Sequence, residues 1–236
     1  MHREYQRWHS PSLGRDMELL WYGHYGRPLL AFPTSLGSCS QNEDMGLLRS
    51  LSDKIDAGEV QVCCVDAIDA ECWYNDDAHP GWKAFRYTQY DRYLIDEVVP
   101  MIRAKAGRED LMTFGASSGA LHAVNFAGRH PEAVSRVISF SGLYDIHRFL
   151  YGYWDDNCYF SCPVAFFPNL PPYEVDRMKH IGWVIATGEH DHLVQANRDF
   201  ATMLAGKGLN VHAEFWGGVF GHDWPHWSEH LRRFVP

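Results

Sequence analysis

Apolar and polar residues follow two alternating patterns along the chain, and these patterns predict strands and helices in turn. Short apolar runs bounded by turn residues predict strands at Asp16–Tyr22, Arg27–Phe32, Val60–Ala67, Leu111–Phe114, Val134–Phe140, Gly182–Thr187 and Val211–Trp216. Apolar residues at helical spacing predict helices at Asn42–Ile55, Tyr87–Lys105, Ala120–Gly128, Gln195–Ala205 and Trp224–Phe234. Pro100 should kink the second of these helices or split off its last turn.

Strands that alternate with helices form parallel βαβ units. The pattern therefore predicts an α/β fold with a doubly wound, mostly parallel sheet flanked by helices. Functional sites in such sheets lie at the carboxyl ends of the strands. With 236 residues, 46% of them hydrophobic, the chain can bury a sizeable core, and we expect residues 1–236 to form one domain.

One aromatic-rich and proline-rich segment, residues 144–173, interrupts the alternation and shows no clear period. We interpret it as an insertion over the active edge of the sheet, and not as a second domain. Its composition fits a packed structural loop equally well.

Composition excludes several classes of partner. The formal net charge is −9 and no run of basic residues occurs, which argues against binding to nucleic acid. No apolar stretch is long enough to span a membrane, and the N-terminus lacks the apolar core of a signal peptide. We therefore expect a cytoplasmic protein with reduced cysteines.

Cys158 and Cys162 have no second pair at metal-binding spacing, so we predict no metal site. The sequence leaves open whether the chain forms a homo-oligomer.

The most specific motif is Gly-Ala-Ser-Ser-Gly at residues 115–119, which follows a predicted strand and precedes a predicted helix. This G-x-S-x-G pattern is typical of a nucleophile elbow, a sharp turn that presents a serine at the N-terminus of a helix. Gly115 and Gly119 would let the strand and the helix approach closely. Alone, the pentapeptide also fits a glycine-rich turn with an incidental serine. Ser117 is the candidate nucleophile.

A serine nucleophile needs a base and an acid that orients the base, expected here in the chain order serine, acid, histidine. The loop after the strand at 182–187 offers Asp191, with Glu189 as the alternative. Of fourteen histidines, His222 is preferred because it lies in a glycine-rich loop after the last strand. His226 should face solvent or the pocket rim, and His190 and His192 could line the site.

An oxyanion hole needs two N–H donors. The first should be the backbone N–H of Ser118, the residue after the nucleophile. The second should come from the loop after Phe32. Pro33 has no N–H, and Ser35 is preferred over Thr34 and Leu36.

Aromatic residues are predicted beside the site. Trp73 and Tyr74 follow the strand at 60–67, and with Tyr153, Trp154 and Trp224 they could form a wall around an acyl or alcohol group. Ordinary core packing explains each one singly just as well.

The chain resembles the esterases of the α/β-hydrolase superfamily, the group that includes esterase D-like and feruloyl-esterase-like enzymes. The resemblance runs from about residue 20 to the C-terminus. It is carried by the motifs at 115–123, 141–145, 187–191 and 221–227, of which the segment His222-Asp223-Trp224-Pro225-His226-Trp227 is the most specific. The small polar Ser118 departs from the methionine or glycine-rich continuation that members often have after the nucleophile.

The resemblance implies a cofactor-free serine hydrolase that acts on small-molecule carboxylic esters, with Ser117 and His222 as catalytic residues. It fixes no substrate. Two alternatives stay open: an acyltransferase with the same triad, and a non-catalytic binding protein with a hydrolase fold.

Overall fold

An eight-stranded sheet organises the computed structural model, which describes residues 1–236. The strands are β1 Arg3–Ser10, β2 Arg15–Tyr22, β3 Arg27–Ala31, β4 Val60–Val65, β5 Leu111–Ala116, β6 Val134–Phe140, β7 Gly182–Gly188 and β8 Asn210–Trp216. Their order across the sheet is β1-β2-β4-β3-β5-β6-β7-β8. The β1–β2 and β2–β4 pairs are antiparallel, and every other pair is parallel. The prediction of a mostly parallel, doubly wound sheet is confirmed.

Helices cover both faces of the sheet. They are α1 Gln41–Asp44, α2 Leu47–Ser50, α3 Ser52–Asp56, α4 Pro80–Tyr93, α5 Val99–Ala106, α6 Ser118–Arg129, α7 Asp156–Phe160, α8 Pro163–Phe166, α9 Pro172–Met178, α10 Val194–Gly206 and α11 Trp224–Leu231. A π-helical turn at Leu94–Val98 joins α4 to α5. None of the helices combines the length and the apolar character needed to cross a membrane.

Alternate residues of the central strands belong to two apolar clusters, one on each face of the sheet. Leu30 and Cys63 belong to a cluster of 47 buried residues that includes the inner sides of α4, α5 and α6. Their neighbours Leu29 and Cys64 belong to a cluster of 24 residues, which α2, α3 and α11 cover. A central strand buried on both faces has no polar side, which is why these strands are nearly continuous apolar runs in the sequence.

Strand β1 was not predicted. It is an edge strand whose side chains alternate between exposed and half-buried, so it carries no apolar run. Charged side chains on an edge strand also limit pairing with other chains. The tight turn at Gly14 joins it to β2, and the eight residue pairs of the hairpin follow from that turn.

Two predicted helices differ from the observed ones. The helix expected at Tyr87–Lys105 begins at Pro80, where proline suits the first turn and His79 Nδ1 accepts the N–H of Gly81 at 3.1 Å. Pro100 has no backbone N–H to donate, and the π-helical turn just before it accommodates the missing hydrogen bond. The single helix expected at Asn42–Ile55 is three short helices. Gly46, left-handed at φ +82°, separates α1 from α2, and Leu51, at φ −102° and ψ 1°, separates α2 from α3.

The segment at 144–173 contains a 3₁₀ turn followed by α7, α8 and the start of α9. Its first part lies at the active edge of the sheet, where Phe149 packs against Tyr74 with ring centroids 5.2 Å apart. Helix α7 packs on α4 and helix α8 on α6, so the later part extends the helical layer. Period and composition could not separate these two roles.

All six cysteines are free and buried. Burial raises the pKa of Cys39 and Cys158 to about 12 and that of Cys162 to about 11, so few thiolates form near neutral pH. We therefore expect no thiol of the native protein to react with Ellman's reagent, and all six to react in guanidinium chloride. A fast-reacting thiol in the native protein would contradict the packing described here.

Candidate active site

Strand β5 and helix α6 meet in a sharp turn at Ser117. Its backbone is strained for a non-glycine residue, with φ +56° and ψ −120°. The turn is tight because Gly115 has no Cβ, since a Cβ there would lie 2.0 Å from the carbonyl oxygen of Gly119. A Cβ on Gly119 would in turn lie 2.5 Å from the carbonyl oxygen of Pro33. The two glycines thus set the distances from β5 to α6 and from α6 to the loop after β3.

The structure brings Ser117, Asp191 and His222 together at the carboxyl edge of the sheet. Ser117 Oγ lies 3.2 Å from His222 Nε2. His222 Nδ1 lies 3.1 and 3.0 Å from the two carboxylate oxygens of Asp191. An imidazole held in this way has a proton on Nδ1 and a free lone pair on Nε2 facing the serine hydroxyl. This arrangement allows the imidazole to accept the serine proton.

Asp191 has a buried carboxylate, 3% exposed, with donors on every side. Burial alone would raise its pKa, but hydrogen bonds from His222, the Leu193 N–H and the Thr187 hydroxyl outweigh burial and hold that pKa well below its usual range. The carboxylate is therefore ionised throughout the neutral range. Glu189, the alternative acid, is exposed, and its Oε2 faces the N–H of Gly218 at 3.3 Å. Only Asp191 reaches His222.

A second layer of polar contacts supports the acid and the base, and sequence reasoning gave it no role. Ser141 Oγ lies 2.9 Å from Thr187 Oγ1, accepts the indole N–H of Trp227 at 3.0 Å and donates to the Gly221 carbonyl at 3.1 Å. Ser141 has a left-handed φ of +50°. The chain from Ser141 through Thr187 fixes Asp191, and Gly221 fixes the loop that carries His222.

Two backbone N–H groups near Ser117 have no acceptor in the protein. Ser118 N–H opens helix α6, where no intrahelical acceptor exists. In the loop after β3, Thr34 N–H donates to Gln41 at 2.7 Å and Leu36 N–H to Asp69 at 3.1 Å, whereas Ser35 N–H is free. Ser118 and Ser35, the two residues selected from the sequence, therefore each present an N–H without a protein acceptor.

The remaining histidines of the two loops do not bridge serine and acid. His192 is exposed and its ring lies 4.6 Å from that of His222. His190 packs edge-on against Phe220, and His226 Nε2 lies 3.9 Å from Asp223. Ligand atoms of Asp191, His192 and His222 lie within 4.8 Å of one another, a spacing that a divalent cation could also bridge.

Of the five aromatic residues predicted beside the site, Trp73 lies in the core and cannot line a pocket. It is 1% exposed and packs between Tyr87 and Phe149 in the core, because its apolar ring finds a buried site beneath the loop. Tyr74, the next residue, is half-buried, and its hydroxyl lies 2.6 Å from Ser35 Oγ.

Trp224 and Trp154 lie farther out. Trp224 packs edge-on against Trp227, whose ring lies 5.3 Å from that of His222. Trp154 is 41% exposed and stacks on His147 at 4.5 Å, without a ring contact to the triad. Tyr74 is therefore the best placed of the predicted aromatic residues, and Trp224 lies at the rim.

A groove of about 600 Å³ on the surface is separate from this site. Arg129, Tyr159, Phe160 and Tyr173 are among its lining residues. Arg129 is the last residue of α6 and Ser118 the first, so the groove and the nucleophile lie near opposite ends of a helix about 18 Å long. Ser117 itself is half-buried and open to solvent from the carboxyl edge.

Comparisons with known proteins identify the family and the fold. The family model described as "Putative esterase" matches residues 10–235. A ferulic acid esterase structure is 16% identical with a TM-score of 0.79, covering 100% of this chain and 96% of its own. S-formylglutathione hydrolase from Staphylococcus aureus is 18% identical with a TM-score of 0.70, over 99% and 98% of the two chains. The fluorophosphonate-binding serine hydrolase F of that organism is 16% identical with a TM-score of 0.66, over 99% and 96%. No curated protein sequence matches the chain.

Proposed function

The chain belongs to the esterase family and is a carboxylic ester hydrolase, and from that premise we propose that it works through an acyl-enzyme formed on Ser117. The observation that carries the proposal is the chain of contacts from Ser117 Oγ through His222 to Asp191. We further propose that residues 1–236 act as one catalytic domain, because one sheet supplies every member of this chain of contacts.

In the acylation step, Ser117 Oγ attacks the ester carbonyl carbon while His222 Nε2 takes the hydroxyl proton. Asp191 holds the imidazole with its Nδ1 proton toward the carboxylate and stabilises the imidazolium that forms. The tetrahedral intermediate collapses when the imidazolium gives its proton to the leaving alcohol oxygen. The acyl group is then bound to Ser117 as an ester.

In the deacylation step, His222 takes a proton from water, and the hydroxide attacks the acyl carbon. Return of the proton to Ser117 Oγ releases the carboxylic acid. In both steps negative charge develops on the carbonyl oxygen, and the free N–H groups of Ser118 and Ser35 would bind it. We propose that the protein holds both donors in place before the substrate binds, so that little reorganisation opposes the reaction.

We propose that the substrate is a small-molecule ester whose acyl or alcohol part contacts Tyr74 and Trp224. Tyr74 is joined through Ser35 Oγ to Ser118 Oγ, at 2.6 and 3.1 Å. This hydroxyl chain would make one wall of the site polar, and Trp224, which packs on Trp227 beside His222, would add an aromatic rim. A substrate with a polar group near the carbonyl fits this wall.

The proposal is tested by labelling and by acylation kinetics. A fluorophosphonate probe should label Ser117 and abolish hydrolysis of p-nitrophenyl esters, because it reacts with an activated serine. Peptide mapping locates the label. A burst of one p-nitrophenol per active site would show that an acyl-enzyme accumulates.

Other outcomes would identify another function. If added alcohols receive most of the acyl group in place of water, the protein is an acyltransferase with the same triad. If the probe does not label the protein and no ester of any acyl length is cleaved, the proposed mechanism is wrong and a binding role is favoured.

A further inference from the structure

We propose that Asp69 and His122 are positioning residues that hold the two halves of the oxyanion hole at a fixed separation. The inference rests on the function proposed above, since it assigns a role in that reaction. Neither side chain touches the space in front of Ser117, and both are about 1% exposed. Their effect would pass through the backbone groups that they fix.

The first half of the hole is a loop that is clamped on both sides of its free donor. Gln41 Oε1 accepts the N–H of Thr34 at 2.7 Å, and Asp69 Oδ2 accepts the N–H of Leu36 at 3.1 Å. These two bonds fix the peptide planes 33–34 and 35–36, which flank the 34–35 peptide that carries the Ser35 N–H. The Ser35 N–H lies between them and stays free to donate to the substrate.

The backbone conformation of Leu36 shows that the loop after β3 needs a stabilising contact. Leu36 is a non-glycine residue with φ +57°, a left-handed conformation that a leucine rarely adopts. Its side chain is 59% exposed and has no core packing to compensate. The contact between its N–H and the Asp69 carboxylate is the interaction that stabilises the strained residue.

The second half of the hole is the start of helix α6, and His122 belongs to that helix. His122 Nδ1 lies 3.1 Å from the Tyr87 hydroxyl, which can donate to it and so leave the ring proton on Nε2. Nε2 faces Asp69 Oδ1 at 3.3 Å, in a contact outside hydrogen-bond geometry.

A continuous path therefore runs from helix α6 through His122 and Asp69 to Leu36. Ser118 N–H is at one end of this path and Ser35 N–H is beside the other. Because a developing oxyanion must lie about 3 Å from both donors, a shift of either half weakens its binding. The buried pair would set that separation without itself contacting the ground-state ester.

The test is Asp69→Asn in the full-length protein, with p-nitrophenyl acetate as substrate. Asparagine keeps the size but loses the charge, which weakens the acceptor for the Leu36 N–H and removes the negative charge that faces His122 Nε2. We expect kcat to fall about 10- to 100-fold, less than the 10²–10³-fold typical of deleting an oxyanion donor, with KM changed less than about threefold. Inhibition by a boronic acid, whose serine adduct places an oxygen in the hole, should weaken by the same factor as kcat/KM.

Asp91→Asn is the matched control. Asp91 is also buried and bound to a histidine and an arginine, His130 and Arg129, each at 3.0 Å, at the far end of α6. The Asp91→Asn substitution should lower thermal stability without changing kcat. His122→Gln should reproduce the Asp69→Asn phenotype, and the double variant should lose no more than the worse single variant, because both act along one path.

A loss of melting temperature in Asp69→Asn with unchanged kcat would show a purely structural role and overturn the inference. So would an equal kcat loss in Asp91→Asn. If Asp69→Asn does not fold, His122→Gln carries the same comparison. The proposed function fails separately, through an inactive or unlabelled wild-type protein.

Discussion

Replacing Ser117 by alanine is expected to lower kcat/KM for p-nitrophenyl esters by about 10⁴-fold or more. The reason lies in the contact between Ser117 Oγ and His222 Nε2 at 3.2 Å, the one place where a hydroxyl faces the free nitrogen of the imidazole. Alanine removes the attacking atom and leaves the oxyanion donors in place. The measurement is steady-state hydrolysis over a range of ester concentrations below and above KM, with fluorophosphonate labelling on the same samples.

Ser135→Ala is the control for this experiment. Ser135 is also half-buried and donates to the Leu111 carbonyl at 2.8 Å, but it lies at the amino end of β6, on the opposite edge of the sheet. The activity of the Ser135→Ala variant should stay within about twofold of wild type, since substitutions away from a site have small effects. A Ser117→Ala protein that keeps more than about one hundredth of the activity would indicate a different nucleophile.

The candidate site could be predicted to this extent because its residues follow strands. A strand that ends in Gly-x-Ser-x-Gly, a later strand that ends beside Asp191 and a last strand that ends beside His222 each carry a local signal. The sheet order then places all three at one edge. The local pattern and the rule that parallel strands end at one edge act together, and neither requires a particular side-chain contact to be known.

The errors come from contacts between segments distant in sequence. Trp73 and Tyr74 are neighbours with the same local pattern, yet one packs under Phe149 and the other bonds to Ser35. Asp69 lies in a short turn and His122 in an apolar helix, and only the fold brings them within 3.3 Å. Their role cannot be read from the sequence, because it depends on the fold placing the loop after β3 beside Asp69.

The same limit explains why Asp191 and Glu189 were hard to separate from the sequence. Both follow β7 by a few residues, so either could be the acid placed just beyond the carboxyl end of that strand. What separates them is burial together with a set of donors from other segments, namely Thr187, Leu193 and His222 around Asp191. A carboxylate that carries the charge of a catalytic imidazolium needs such donors, since they keep it ionised.

Asp191→Asn is accordingly expected to lower kcat by about 10⁴-fold, the loss typical of this change in a serine triad. The reason is the tautomer of His222. Asparagine Oδ1 would keep the N–H of Leu193, now 2.8 Å from Asp191 Oδ1, and would turn its NH₂ toward His222 Nδ1. The imidazole would then carry its proton on Nε2 and could not accept the proton of Ser117.

Glu189→Gln is the matched control, because it removes a carboxylate from the same loop. Glu189 is exposed and contacts only the Gly218 N–H, at 3.3 Å, so the variant should keep its activity within about twofold. Fluorophosphonate labelling of Asp191→Asn should slow in parallel with kcat, since the probe needs the same activated serine. The opposite ranking, a severe loss in Glu189→Gln and a mild one in Asp191→Asn, would assign the orienting role to Glu189 and require the loop after β7 to rearrange when substrate binds.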